Sequence, residues 1–232
     1  MYQRPALESP RYNRAVTCRL LLPVAWLALL GLAIALAVLA GQHDTLPGDV
    51  DIATWAQDRP FPGEAFSDVL RALTMTEVVL GVGGAVAVGL WLLGRRWEAA
   101  LLAIGLILLP LLQASLKELV DRPRPAEPVV ELRAGFSSPS FPSGHVMSAT
   151  FLYGFLLCLS IRDSLPKAAR LAAGPWSAFV LLFAGPANVW LGVHWPSDVL
   201  GGWAWALLLL LPLLYGLEVG RVRKDSYVSS SG

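Results

Sequence analysis

Charged residues are scarce in this chain of 232 residues: aspartate, glutamate, lysine and arginine make up 15% of it, whereas hydrophobic residues make up 55%. Soluble domains usually carry about 25% charged residues. The shortage excludes an ordinary soluble domain and predicts an integral membrane protein. The sequence also lacks a basic stripe of the kind that binds nucleic acid, so we expect membrane lipids and no nucleic acid among its partners.

Cysteine is rarer still, with only Cys18 and Cys158. The long apolar runs of the chain place both residues in the cytoplasmic half of the membrane or at its inner edge, where structural disulfides are uncommon. Neither cysteine has neighbours at metal-ligand spacing, and no cluster of carboxylates and histidines has the pattern of a dedicated metal site. The sequence therefore predicts no disulfide, no metal and no cofactor.

Long apolar runs predict six membrane-spanning helices, over 20–40, 78–94, 99–116, 146–161, 171–193 and 199–220. A secretory signal peptide is the competing interpretation of the first run. That run is nearer the ~20 residues of a membrane span than the ~7 to 15 of a signal peptide, so we favour an uncleaved helix. The expected fold is all-α: a six-transmembrane-helix bundle over 20–220, between cytoplasmic tails at 1–19 and 221–232.

Basic residues are distributed unevenly across the predicted spans. Twelve of the 18 lysines and arginines fall on the side of the two termini, and six fall on the other side. The positive-inside rule then places both termini in the cytoplasm, and we expect a cell inner membrane with a periplasmic or extracellular outer face. The interior of every predicted span is free of charged residues, and Glu218 lies only at the inner end of 199–220; this argues against a transporter with an ion path through the bilayer.

The first outer connection, 42–73, is polar and acidic, but Phe66, Val69, Leu70 and Leu73 recur within it at helical spacing. This pattern predicts a short amphipathic helix at the membrane interface. Two roles fit such a helix about equally well: a cap that packs on neighbouring spans, or a guide for lipid entry.

Three polar segments stand at the outer ends of predicted spans: KELVDRPRP over 117–125, FPSGH over 141–145 and GVHWPSD over 192–198. In the second, Ser143 can cap the helix that follows, Gly144 lets the backbone approach a ligand, and the free N–H groups of a helix start attract an anion. By itself, FPSGH is more typical of an ordinary helix start with a histidine that has no functional role. The three segments together bring cations, histidines and an aspartate to one face, which favours a phosphate site.

The residue types in these segments suit phosphate chemistry. Lysine supplies a point charge, and arginine supplies two parallel donors that match phosphate oxygens. Of two histidines, one can attack phosphorus while the other protonates the leaving oxygen. An aspartate beside the attacking imidazole would fix its tautomer and stabilise its charged form.

The order and spacing of these motifs resemble the type 2 phosphatidic acid phosphatase (PAP2) superfamily, over about the C-terminal two-thirds of the chain. This superfamily contains membrane lipid phosphatases and, in soluble form, vanadium haloperoxidases; a chain this apolar fits the former. The resemblance implies a six-helix, metal-independent phosphatase that removes a terminal phosphate from a lipid phosphate or diphosphate. Polyprenyl diphosphate, phosphatidylglycerophosphate and phosphatidate are all possible substrates.

The resemblance also implies a role for each motif residue. His194 would be the nucleophile that forms a phosphohistidine, Asp198 its partner, and His145 the general acid. The implied phosphate binders are Lys117, Arg124, Ser143 and Gly144.

One position departs from the family pattern. Six residues before the nucleophile the family carries an arginine, and this chain carries Asn188, which we expect at the phosphate site. Asparagine keeps a hydrogen-bond donor but loses the charge and the two-pronged geometry. Arg122 or Arg133 could compensate for this loss. The alternative function is a catalytically weakened protein that binds or translocates a lipid phosphate.

Overall fold

The computed structural model describes residues 10–162 and 165–230. In this range the chain forms eight α-helices and no strand, as the all-α prediction requires. The predicted tails at 1–19 and 221–232 fall partly outside the described residues. The helices are α1 (Pro10–Gln42), α2 (Asp49–Gln57), α3 (Glu64–Thr74), α4 (Thr76–Leu92), α5 (Arg96–Val120), α6 (Gly144–Ile161), α7 (Lys167–Trp190) and α8 (Pro196–Ser230).

Five of these helices are long and apolar enough to cross a membrane: α5, α6, α7, and the segments Pro23–Gln42 of α1 and Pro196–Gly220 of α8. The second predicted span, 78–94, corresponds to α4, which has only 17 residues. Together with α3 it passes the same test, although the two helices are bent by 55° at the break between them. The described helices therefore give five spans, and the predicted six only if this bent pair counts as one.

The first connection contains two helices where one was predicted. The amphipathic pattern correctly predicted α3, whereas α2 was missed because its sequence, DVDIATWAQ, has little apolar periodicity. Phe66 of α3 packs edge-on against Phe179 and Phe183 of α7. These contacts support the role of α3 as a cap on a neighbouring helix, and its position at the membrane interface stays a prediction.

Helix α6 forms the centre of the bundle. Twelve of its 18 residues are buried, and it packs against α4, α5, α7 and α8. Gly105 of α5 permits the close approach, because a Cβ there would overlap the Phe151 ring of α6. In contrast, only 11% of the spanning segment of α1 is buried, and its exposed apolar side chains are those expected of a lipid-facing surface. The N-terminus of α6 is thus enclosed by other elements on several sides.

Two breaks between helices shape the outer end of the bundle. Helix α5 extends to Val120, so Lys117 lies in its last turn and not just beyond it. The chain from 121 to 143 is then irregular, as its prolines predicted. Helix α7 continues through Pro186 and ends at Trp190, three residues earlier than the predicted span. The segment 191–195 therefore joins α7 to α8 as a short turn.

Candidate active site

The three motif segments meet around one cavity of about 450 Å³. Five of the residues predicted from the sequence line it: Lys117, Arg124, Gly144, His145 and His194. Helix α3, the start of α4 and the loop 121–143 complete the wall, which also includes Asp68, Arg71, Thr76, Glu77, Gln113, Ser137 and Ser138.

The turn that carries His194 depends on Gly192. Gly192 has φ +69°, a conformation that favours glycine, and a Cβ at this position would overlap the carbonyl oxygen of Glu131. Gln57 of α2 fixes the same region, because its amide donates to the carbonyls of Glu131 (2.8 Å) and Trp190 (3.1 Å). The histidine is therefore held from both the first and the second outer connections.

His194 is buried and presents its two ring nitrogens to different partners. Nδ1 lies 3.6 Å from Asp198 Oδ2, which is too long for a hydrogen bond, and Nε2 lies 3.2 Å from Nη1 of Arg124. Burial is the main cause that lowers the pKa of His194 to about 4; Asp198 opposes the shift, and the charge of Arg124 adds to it. The imidazole is therefore neutral at neutral pH, the form in which a histidine can act as a nucleophile.

Asp198 is fully buried and its carboxylate is held by several donors. Oδ2 accepts from the Ser140 hydroxyl and from the backbone N–H of Trp195 (2.9 Å), and Oδ1 accepts from Nη1 of Arg122 (2.6 Å). These bonds fix the oxygen that faces His194, so the Asp–His geometry needs only a small movement to become a hydrogen bond.

Arg122 is one of the most deeply buried side chains in the described range, with 1% of its surface exposed. Besides Asp198 it pairs with Asp49 of α2, whose Oδ2 lies 2.8 Å from Nη2. Asp49 in turn accepts from the backbone N–H (2.9 Å) and the hydroxyl (2.7 Å) of Ser197. The sequence analysis assigned no role to Asp49, although an acid in the first turn of a helix commonly stabilises that helix through its dipole.

Lys117 and Arg124 both donate to backbone carbonyls at the cavity wall. Lys117 Nζ lies 2.6 Å from the carbonyl oxygen of Pro139. Arg124 donates from Nε to Ser138 (2.7 Å) and from Nη1 to Val193 (2.6 Å). Burial lowers the pKa of Arg124 to about 10, partly offset by Asp198, so the guanidinium stays charged at neutral pH.

The start of α6 is held by a buried polar network that sequence reasoning missed. Gln113 of α5 donates to the Gly144 carbonyl (3.2 Å) and to the Ser148 hydroxyl (2.9 Å), and it accepts from the hydroxyl of Thr76 (2.9 Å). The backbone N–H of Ser143 donates to the carbonyl of Asp198. The hydroxyl of Ser143 has no hydrogen-bond partner among the described residues. The network orients Gly144 and the adjoining His145 toward the cavity. The isolated glutamine within an apolar span was the feature of the sequence that could have predicted this network.

The described structure does not bring Asn188 into the cavity, and the predicted phosphate binder Ser143 is buried and does not line the cavity either. The amide nitrogen of Asn188 donates to the Ala184 carbonyl (2.7 Å) within α7, and its side chain is buried. The two arginines expected to compensate also lie elsewhere: Arg122 is behind Asp198, and Arg133 pairs with Glu131 and lies over the Trp190 ring. The sequence did not single out Arg71 of α3, which does line the cavity.

Comparison with known proteins places this arrangement in a family. Residues 98–219 match the family model of the PAP2 superfamily. Phosphatidylglycerophosphatase B of Bacillus subtilis (strain 168) is 33% identical over 131 residues, which cover 53% of this chain and 60% of that protein's length. The crystal structure of a transmembrane PAP2 type phosphatidylglycerolphosphate phosphatase from Bacillus subtilis matches with a TM-score of 0.68 and 25% identity, covering 84% of this chain and 96% of the other.

Both relatives are named as phosphatases, so the comparisons do not favour the non-enzymatic alternative. The structural match and the apolar helices also identify a multi-pass membrane protein. Since the family model covers more than half of the chain and includes all three motifs, this protein belongs to the PAP2 superfamily.

Proposed function

We propose that the protein is a metal-independent lipid phosphatase that removes the terminal phosphate from a phosphatidylglycerophosphate-like lipid through a phosphohistidine. The named activity of both relatives supports this substrate class. Phosphatidate and polyprenyl diphosphate present the same terminal group and are the competing substrates. We place the reaction at the outer face of a cell inner membrane, with both termini in the cytoplasm.

The observation that carries the proposal is the set of cations around the cavity. Lys117, Arg124 and Arg71 line it, and none of them forms an ion pair with a carboxylate in the part of the chain that the structure describes. The acidic lining residues, Asp68 and Glu77, are exposed, whereas the three cations are partly buried. Partly buried positive charges without counter-ions favour an anionic ligand, and a terminal phosphate carries about two negative charges.

In the first step, Nε2 of His194 attacks phosphorus. This nitrogen is the candidate because Nδ1 faces Asp198, while Nε2 lies beside Arg124 at the cavity. The N–P bond forms as the bond between phosphorus and the lipid oxygen breaks, and His145, whose protonated form is stabilised by the negative charge of the bound phosphate, donates a proton to that oxygen. Asp198 stabilises the positive charge that develops on the imidazole, and the cations stabilise the equatorial phosphoryl oxygens.

In the second step, water attacks the phosphohistidine. His145, now neutral, takes a proton from the water, the O–P bond forms and the N–P bond breaks. Inorganic phosphate leaves, and His194 returns to its neutral form. The low pKa of His194, about 4, favours departure of the neutral imidazole.

The test is release of inorganic phosphate from purified protein in detergent, with phosphatidylglycerophosphate, phosphatidate and polyprenyl diphosphate as separate substrates. We expect His194→Ala to abolish release and to prevent acid-labile labelling by ³²P-lipid in a single turnover. His43→Ala is the matched control, because His43 is the exposed third histidine and does not line the cavity. Undiminished labelling of the His194→Ala protein would show that the nucleophile is another residue.

A further inference from the structure

We propose that Arg71 is the third phosphate-binding cation of this site, and that it supplies from α3 the guanidinium that the third motif lacks at Asn188. The inference rests on the proposed phosphatase function and deepens it. According to this proposal, Lys117, Arg124 and Arg71 together bind the dianion of a phosphate monoester.

The side chain of Arg71 lies in the cavity with unused donors. It shares the wall with Lys117, Arg124, His145 and His194. Nη2 donates to the Gly135 carbonyl at 3.2 Å, and the buried Nε has no hydrogen-bond partner among the described residues. An arginine has five N–H donors in a planar fork, so most of them remain for a ligand.

The charges near Arg71 also indicate an anion. Asp68, one turn earlier on α3, is the nearby acid that attracts Arg71, but it is exposed and forms no ion pair with Arg71 in the described structure. The charge of Arg71 acts on Arg124 and His145 across the cavity. Cations that face one another repel, and a dianion bound between them relieves this repulsion.

Helix α3 is fixed well enough to present Arg71 in a defined place. Leu73 at the end of α3 accepts a hydrogen bond through its carbonyl from the Tyr153 hydroxyl of α6 (3.1 Å), and Leu70 is buried. The ring contacts of Phe66 attach the other face of the helix to α7. A preorganised donor of this kind stabilises a transition state more than a mobile one does.

The test compares three variants. Arg71→Gln removes the charge but keeps an N–H donor for Gly135, so it separates phosphate binding from anchoring of the loop. We expect kcat/KM to fall about 10²-fold in Arg71→Gln, the usual effect of losing one such donor, and about tenfold in Arg71→Lys. Arg59→Gln is the control: this exposed arginine of the first outer connection lies over Trp55, away from the cavity, and the variant should keep the wild-type rate.

Two further readouts distinguish a ligand contact from a structural effect. Guanidinium ion added to Arg71→Ala should restore at least part of the lost rate, and inhibition by orthovanadate should weaken in Arg71→Gln as kcat/KM falls. An active wild-type protein whose Arg71→Gln variant stays within about threefold overturns the proposal. If the wild-type protein releases no phosphate from any lipid, the proposed function fails; Arg71 is then judged by orthovanadate binding in a thermal-shift assay, where equal affinity of Arg71→Gln and wild type overturns its role.

Discussion

Replacement of Arg122 by methionine should both destabilise the fold and lower the rate of phosphate release. The guanidinium is buried between two carboxylates, Asp198 at 2.6 Å and Asp49 at 2.8 Å. Removal of one partner from a buried ion pair costs about 3 to 5 kcal/mol, because the remaining charge has no compensation. Arg122→Met leaves two such carboxylates, so we expect the upper end, about 5 kcal/mol.

This loss predicts a fall in Tm of roughly 10 to 20 °C for a chain of this length. The rate should fall as well, because Asp198 Oδ1 loses its cation and the carboxylate beside His194 can rotate. A displacement of about 1 Å at a catalytic group can reduce the rate about 10²-fold. The measurements are thermal unfolding in detergent, and phosphate release well below the unfolding transition of the variant.

A second variant and a control make the charge argument decisive. Arg122→Met combined with Asp49→Asn leaves one unpaired carboxylate in place of two and should recover part of the lost Tm. Arg133→Met removes an arginine whose partner, Glu131, is 64% exposed, so it should cost less than about 2 kcal/mol. If Arg122→Met unfolds within about 3 °C of Arg133→Met, the buried pairs do not stabilise the fold as argued.

Three further predictions concern the chemistry, the departure from the motif and the topology. The low pKa of His194 means that its neutral form persists to about pH 4, so an NMR titration of the His194 ring in the ligand-free protein should have its midpoint near pH 4; a midpoint near pH 6.5 would contradict this. EDTA should leave the rate of phosphate release unchanged. Asn188→Ala should keep kcat/KM within about threefold, because the amide donates within α7; a loss of tenfold or more would mean that Asn188 contacts the phosphate. Cysteine at Ala126 should react with an impermeant maleimide in intact cells, whereas cysteine at Ser229 should react only after the membrane is opened; the reverse pattern would place the site in the cytoplasm.

Hydropathy and motif spacing predicted much of this architecture. Apolar runs located the long helices, because a backbone in lipid must satisfy its own hydrogen bonds. They did not settle the region of α3 and α4, where a helix of only 17 residues follows the amphipathic α3 at a bend of 55°. Motif order likewise predicted that Lys117, Arg124, Gly144, His145 and His194 share one site. The three motifs lie at helix ends that face the same side, and their cations and histidines together favour a phosphate site.

The residues missed by sequence reasoning hold or face the site across long separations in the chain. Asp49 and Arg122 are 73 positions apart, and Gln113 reaches Ser148 over 35. No local pattern encodes such a pairing, because it arises only when helices pack. Asn188 was assigned to the site by its position in the motif alone, and the turn of α7 directs its amide to Ala184.

The pairing of Arg122 with the first connection has a consequence for dividing the protein. The family match begins at residue 98, yet Arg122 within it is held by Asp49 and by the carbonyl of Asp44. We therefore expect the homologous segment to fold poorly if it is cut at residue 98, because Arg122 would keep only one of the two carboxylates that neutralise it. If the protein is expressed as two fragments, the division should instead lie in the turn 93–95. The fragment with α1 to α4 should then be co-expressed with the fragment that carries the three motifs, because it supplies the missing contacts of Arg122.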